Sequence, residues 1–88
     1  MEIVLLKQAR KDIDYWKKTG NKAVMSKISA LLREISVHPY TGQGKPEPQR
    51  YELSGKWSRR INSEHRIIYS VHEDIASVYI YSLRYHYP

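Results

Sequence analysis

The chain has 88 residues, no cysteine, and 15 Lys plus Arg against 9 Asp plus Glu, a formal charge of +6. That length supports one small domain, residues 1–88, burying ~60–65% of its unfolded surface, and excludes a second core. The missing cysteines exclude disulfides, thiolate metal ligands and a cysteine nucleophile, and suit a reducing cytoplasm, while the cationic excess favours a polyanionic partner such as nucleic acid.

Glu2 to Leu6 reads as a short buried strand, far below the ~20 apolar residues of a membrane span, so no membrane association is expected. From Lys7 the period changes. Ala9, Ile13 and Trp16 share one helical stripe that ends near Thr19-Gly20. Asn21 caps a second helix, in which Val24, Ile28, Leu31 and Ile35 repeat at spacings of four, three and four until Pro39 stops it. Gly42, Gly44, Pro46 and Pro48 then mark a loop.

Tyr51 to Leu53, Trp57 to Asn62, Arg66 to Val71 and Ile75 to Tyr85 read as strands joined by tight turns. The fold class is therefore α+β: an N-terminal strand, a two-helix hairpin and an antiparallel strand meander, with the helices on one face of a twisted sheet.

Four stretches carry chemistry. Glu47 sits between Pro46 and Pro48, so a stiff extended backbone holds its carboxylate; a solvated loop glutamate is the plain alternative. In Trp57-Ser58-Arg59-Arg60-Ile61 the two arginines point to opposite faces of a strand, so at most one meets a given ligand. Arg66 opens an apolar strand, where an anionic ligand explains it, with pairing to Glu64 or Glu52 as the rival. The end, Arg84-Tyr85-His86-Tyr87-Pro88, packs a guanidinium, an imidazole and two phenols into a segment that would otherwise be a solvated tail.

No metal-ligand spacing joins His65, His72 and His86, and no cofactor motif occurs, so neither metal nor cofactor is expected. Acid–base chemistry on a phosphodiester fits these groups. RNA carries its own nucleophile, the 2′-hydroxyl; Glu47 would take its proton, His86 would protonate the leaving 5′-oxygen and Arg66 would hold the phosphate.

Gly42-Gln43-Gly44-Lys45-Pro46-Glu47-Pro48, Leu53-Ser54-Gly55-Lys56-Trp57-Ser58-Arg59-Arg60-Ile61, Glu64-His65-Arg66-Ile67-Ile68-Tyr69 and Arg84-Tyr85-His86-Tyr87 together resemble the YoeB/Txe branch of the RelE/ParE-type toxins of bacterial toxin–antitoxin systems. The resemblance covers nearly the whole chain. It implies a ribosome-dependent endoribonuclease, an mRNA interferase that cuts message in the ribosomal A site without a metal. Glu47 matches the general base, Arg66 the phosphate-stabilising arginine, His86 the general acid and Tyr87 a substrate-orienting tyrosine. Lys45 and Arg59 match basic residues around the site, with Arg60 and Arg84 in the same matching blocks. Lys17, Lys18 and Lys22 would meet ribosomal RNA. The implied partners are a YefM-like antitoxin, the ribosome, operator DNA only through the antitoxin, and often a second toxin copy.

Two other readings use the same basic surface: an inhibitor that occupies the ribosome or RNA without cutting, and a co-repressor component bound to an antitoxin. The nuclease reading also sets a geometric condition. His86 and Tyr87 can serve one site only if the strand ends or twists before them, because adjacent strand residues face opposite ways.

Overall fold

The structure is a computed structural model that describes residues 1–85; the expectations resting on His86, Tyr87 and Pro88 lie outside the described residues. Strand β1 (Glu2–Leu5) leads into helices α1 (Lys7–Thr19) and α2 (Lys22–Val37), followed by strands β2 (Glu47–Pro48), β3 (Trp57–Arg60), β4 (Arg66–His72) and β5 (Ser77–Ser82). Gly20 ends α1 in the left-handed conformation, φ 66°, which costs glycine nothing. Asn21 caps α2, its side-chain oxygen accepting from the Val24 N–H at 3.1 Å.

The five strands lie in the order β1-β5-β4-β3-β2. Strands β2 to β5 form the expected antiparallel meander, but β1 pairs parallel to β5, with Ile3 opposite Val78 and Leu5 opposite Ile80, so the sheet is mixed. The two helices supply the long crossover that a parallel pair needs. One sheet face carries Ile67 and Tyr69 of β4 and Val78 and Ile80 of β5, and it packs against Ala9, Trp16, Val24, Ile28, Leu31 and Ile35 of the helices. The other face is left open by the helices.

Among the expected boundaries that move, three are set by the backbone. Tyr51 to Leu53 is a 3₁₀ turn, in which the Ser54 N–H donates to Tyr51 O at 3.0 Å, and the loop closes through Gln49 N–H to Lys56 O at 2.9 Å. Glu47 and Pro48 are a two-residue edge strand, where a proline's missing N–H costs no ladder bond. The last strand starts at Ser77, because Ala76 (φ 49°) ends a 3₁₀ turn over Glu73–Ile75, and it stops at Ser82.

Candidate active site

Register places the predicted side chains. One rung runs across four strands: Glu47 opposite Ser58, Ser58 opposite Ile68, Ile68 opposite Ser82. On the neighbouring rung Arg60 stands opposite Arg66, and the Arg66 N–H donates to Tyr85 O at 3.1 Å. Since β side chains alternate, and Trp57, Ile67 and Tyr69 pack on the core side, Glu47, Ser58, Arg60, Arg66 and Ile68 all belong to the open face. The structure thus brings together an exposed carboxylate, an exposed guanidinium and a half-buried one. The carboxylates that rivalled a ligand for Arg66 are placed elsewhere: Glu64 Oε1 lies 3.3 Å from His65 Nε2, and Glu52 is exposed on the 3₁₀ turn.

Arg59 corrects an expectation. It is 0% exposed, on the core side of β3, and is not a surface cation. Its Nε–H donates to Tyr69 Oη at 3.0 Å and its terminal nitrogens to Gln43 O at 3.1 Å, to Thr41 O at 2.9 Å and to His38 O. Tyr69 Oη in turn donates to Pro39 O at 2.8 Å. Burial raises the Tyr69 phenol pKa, and the Arg59 hydrogen bond and charge oppose that rise. This pair ties residues 38 to 43 to the sheet just before Glu47, a shaping role that the residue's charge alone did not announce.

The loop above the clamp turns tightly. Gly44 has φ 83° and its carbonyl accepts from Arg60 N–H at 2.7 Å; a Cβ there would lie 3.0 Å from Leu31 Cδ2 and 3.1 Å from Arg60 O. Lys45 follows with φ 51° and is exposed, two residues before Glu47. Gln49 Nε2 donates to Ser58 Oγ at 2.7 Å and so ties the β2 edge to β3 on the open face.

At the other side of the site, the backbone of residues 83 to 85 is fastened at several points. Asp12, 1% exposed on α1, accepts the Leu83 N–H at Oδ2 (2.8 Å), and Trp16 Nε1–H donates to Leu83 O at 3.0 Å. His65, 7% exposed, accepts the Tyr85 N–H at Nδ1 (2.8 Å) and meets the Trp16 ring edge-on at 4.8 Å. Arg84 is half-buried, its guanidinium carbon 3.4 Å from the Tyr15 ring centroid and one terminal nitrogen donating to Tyr85 Oη at 2.7 Å. Its charge is used in packing against α1. Tyr85 has φ 61°, so the extended backbone has ended before position 86, the condition set for two neighbouring residues to serve one site. The roles of His86 and Tyr87 themselves fall outside the described residues.

Asp12, Tyr15, Trp16 and His65 are the fasteners that the sequence reading passed over. Asp12 had a signal: it lies four residues before Trp16 on the buried stripe, where a carboxylate needs a donor. Lys17, Lys18 and Lys22 are exposed at the turn between α1 and α2, in the layer covering the opposite face of the sheet, so they form a patch separate from Glu47. No helix among the described residues is long and apolar enough to cross a membrane.

Residues 5–87 match the YoeB-like toxin of bacterial type II toxin–antitoxin systems. The chain is 41% identical over 87 residues to Toxin YoeB of Escherichia coli K12, covering 99% of this chain and 100% of that one. Among solved structures, a YoeB/ParE toxin from Agrobacterium tumefaciens superposes with a TM-score of 0.92 at 34% identity, covering 99% of this chain and 100% of the other. A YoeB–YefM complex and a YoeB dimer, both from Staphylococcus aureus, give TM-scores of 0.85 and 0.86 at 39% and 38% identity, each covering 99% of this chain and 98% of the other.

Proposed function

This chain belongs to the YoeB-like toxins of bacterial type II toxin–antitoxin systems, and from that premise we propose that it is a ribosome-dependent endoribonuclease cutting mRNA in the A site. The observation that carries the reading is the pair of rungs on the open face: Glu47 at one edge, Arg60 and Arg66 beside it, and the backbone of Tyr85 hydrogen-bonded to Arg66 at the other side. A strand of RNA laid across that face meets a proton acceptor, then guanidiniums, then the segment that continues into His86.

In the proposed reaction Glu47 removes the 2′-hydroxyl proton and the 2′-oxygen attacks phosphorus. The bond from phosphorus to the 5′-oxygen breaks, and His86 gives that oxygen its proton. The products are a 2′,3′-cyclic phosphate and a 5′-hydroxyl. Arg66, with Arg60 next to it, neutralises the charge that builds on the phosphoryl oxygens. Lys45 stands beside Glu47 as a further cation, and Tyr87 would orient the substrate. Arg59 and Arg84 act through structure, by shaping the loop and seating the terminal segment.

The partners follow from the relatives. A YefM-like antitoxin is the proposed silencer, in line with the Staphylococcus aureus complex, and a second toxin copy is proposed from the dimer. Lys17, Lys18 and Lys22 would contact ribosomal RNA away from the reacting phosphate, and operator DNA would be reached only through the antitoxin. Mapping message ends on programmed ribosomes tests the reaction class. The reading expects a new end in the A-site codon, lost when the nucleotide 5′ to the cut carries a 2′-deoxyribose. Stalled ribosomes holding intact message would replace cleavage by simple blockade.

A further inference from the structure

Beside the Glu47 rung the open face holds a cavity of about 280 Å³, lined by Gln8, Leu53, Lys56, Ile68, Tyr81 and Ser82. Its construction is unlike a gap left by loose packing. The Tyr81 ring is held at its far end, because Tyr81 Oη shares a hydrogen bond with Ser70 Oγ at 2.9 Å and Ser70 Oγ another with His72 Nε2 at 2.7 Å. Lys56 Nζ lies 4.5 Å from the centroid of that ring. Ser82, 4% exposed, has a hydroxyl with no hydrogen-bond partner among the described residues. Ile68 and half-buried Leu53 add apolar lining. A fixed aromatic ring, a cation over it and an unused hydroxyl at the edge are what a planar, hydrogen-bonding ring needs.

Position narrows the occupant. Ile68 and Ser82 stand on the same rung as Glu47, and strands are ~4.8 Å apart, so Ile68 is ~10 Å from the carboxylate's backbone. Arg66 is two residues along β4 from Ile68, ~7 Å away. The cavity therefore flanks the phosphate site without coinciding with it. Among the described residues no carboxylate lines it, and its size falls just below the ~300–1,000 Å³ of small-molecule sites. We infer that this cavity is a nucleobase subsite, taking the base of a nucleotide next to the scissile bond, stacked on Tyr81, with its edge read by Ser82. Lys56 covers the ring in the free protein and moves to the incoming phosphate. The inference rests on the RNA-cleaving reading and adds to it the origin of a base preference.

The test uses full-length toxin on programmed ribosomes with two readouts. In the first, cleavage is measured on messages carrying each of the four bases at the positions flanking the cut. Wild type discriminates at one flanking position; Tyr81→Leu flattens that profile and raises KM by roughly 5- to 150-fold, the range of one lost base stack. Tyr81→Trp restores a stacking face and with it the low KM, which a merely structural role for Tyr81 would not do. Ser82→Ala changes the order of preferred bases.

In the second readout, 2-aminopurine replaces the flanking base in a message with a 2′-deoxyribose at the cut, and its fluorescence is quenched by wild type and by Tyr81→Trp but not by Tyr81→Leu. Quenching of this kind without any cleavage by wild type would keep the subsite and discard the nuclease. An unchanged base profile, KM and quench in Tyr81→Leu, with normal cleavage, would overturn the subsite and keep the nuclease. So would a variant that loses only affinity for the antitoxin, which would make the cavity a protein-binding pocket.

Discussion

Replacing Arg59 by lysine separates a shaping role from an RNA contact, because the charge is kept and the fork of donors is not. Arg59 is fully buried and its nitrogens reach Tyr69 Oη, Gln43 O, Thr41 O and His38 O. One ammonium cannot span the Tyr69 end and the loop end together, so at least two of these charge-assisted bonds are lost. Each contributes ~1.5–3 kcal/mol, and the carbonyls left behind are part-buried, so the expected destabilisation is about 3–6 kcal/mol. Against a total of ~5–15 kcal/mol for a domain this is severe. For a chain this short it lowers Tm by roughly 12–48 °C, at ~4–8 °C per kcal/mol. Thermal unfolding followed by circular dichroism, with urea titration at 25 °C, measures it. A Tm within a few degrees of wild type, combined with weakened RNA binding, would refute the clamp and return Arg59 to the RNA surface.

Asp12→Ala leaves the buried Leu83 N–H without its acceptor and should cost about 2–4 kcal/mol in urea unfolding, whereas Asp12→Asn keeps an acceptor and should cost less than half as much. If alanine and asparagine behave alike, the hydrogen bond to Leu83 is not what Asp12 contributes. Tyr69 gives a pH dependence: its folded-state pKa is raised, chiefly by burial, so the neutral phenol's contribution is complete below the unfolded value of ~10 and is lost as pH climbs through the higher folded value. Stability measured from pH 8 to 11 should therefore fall at the alkaline end in wild type and fall less steeply in Tyr69→Phe; equal slopes would contradict the assignment.

Local signals were legible where one element decides the matter. The Val24, Ile28, Leu31 and Ile35 stripe, the helix end at Thr19-Gly20 and the Asn21 cap are all found as read. Pairing between distant segments was not: nothing near Glu2–Leu5 says that it lies parallel to β5, because register is settled by which apolar faces meet in the folded chain. Alternation separated Arg59 from Arg60 but left open which one turned inward. The structure decides it through Trp57, which packs on the core side and carries Arg59, two residues on, with it. Asp12 lies four residues before Trp16 on the helical stripe, but its partner, the Leu83 N–H, is 71 positions away and belongs to no local pattern. Glu47 stood out in the sequence because two prolines confine its backbone, and Arg66 because it opens an apolar strand; that both share one face with Arg60 needed the strand register.

Single-turnover cleavage of A-site message by Glu47→Gln is the most direct test of the open face as the catalytic surface. An amide of the same shape leaves the edge strand intact and cannot take up the 2′-hydroxyl proton. The rate should fall by ~10²–10⁴-fold, the usual contribution of a general base, with the urea midpoint unchanged. Wild-type cleavage by this folded variant would contradict the account.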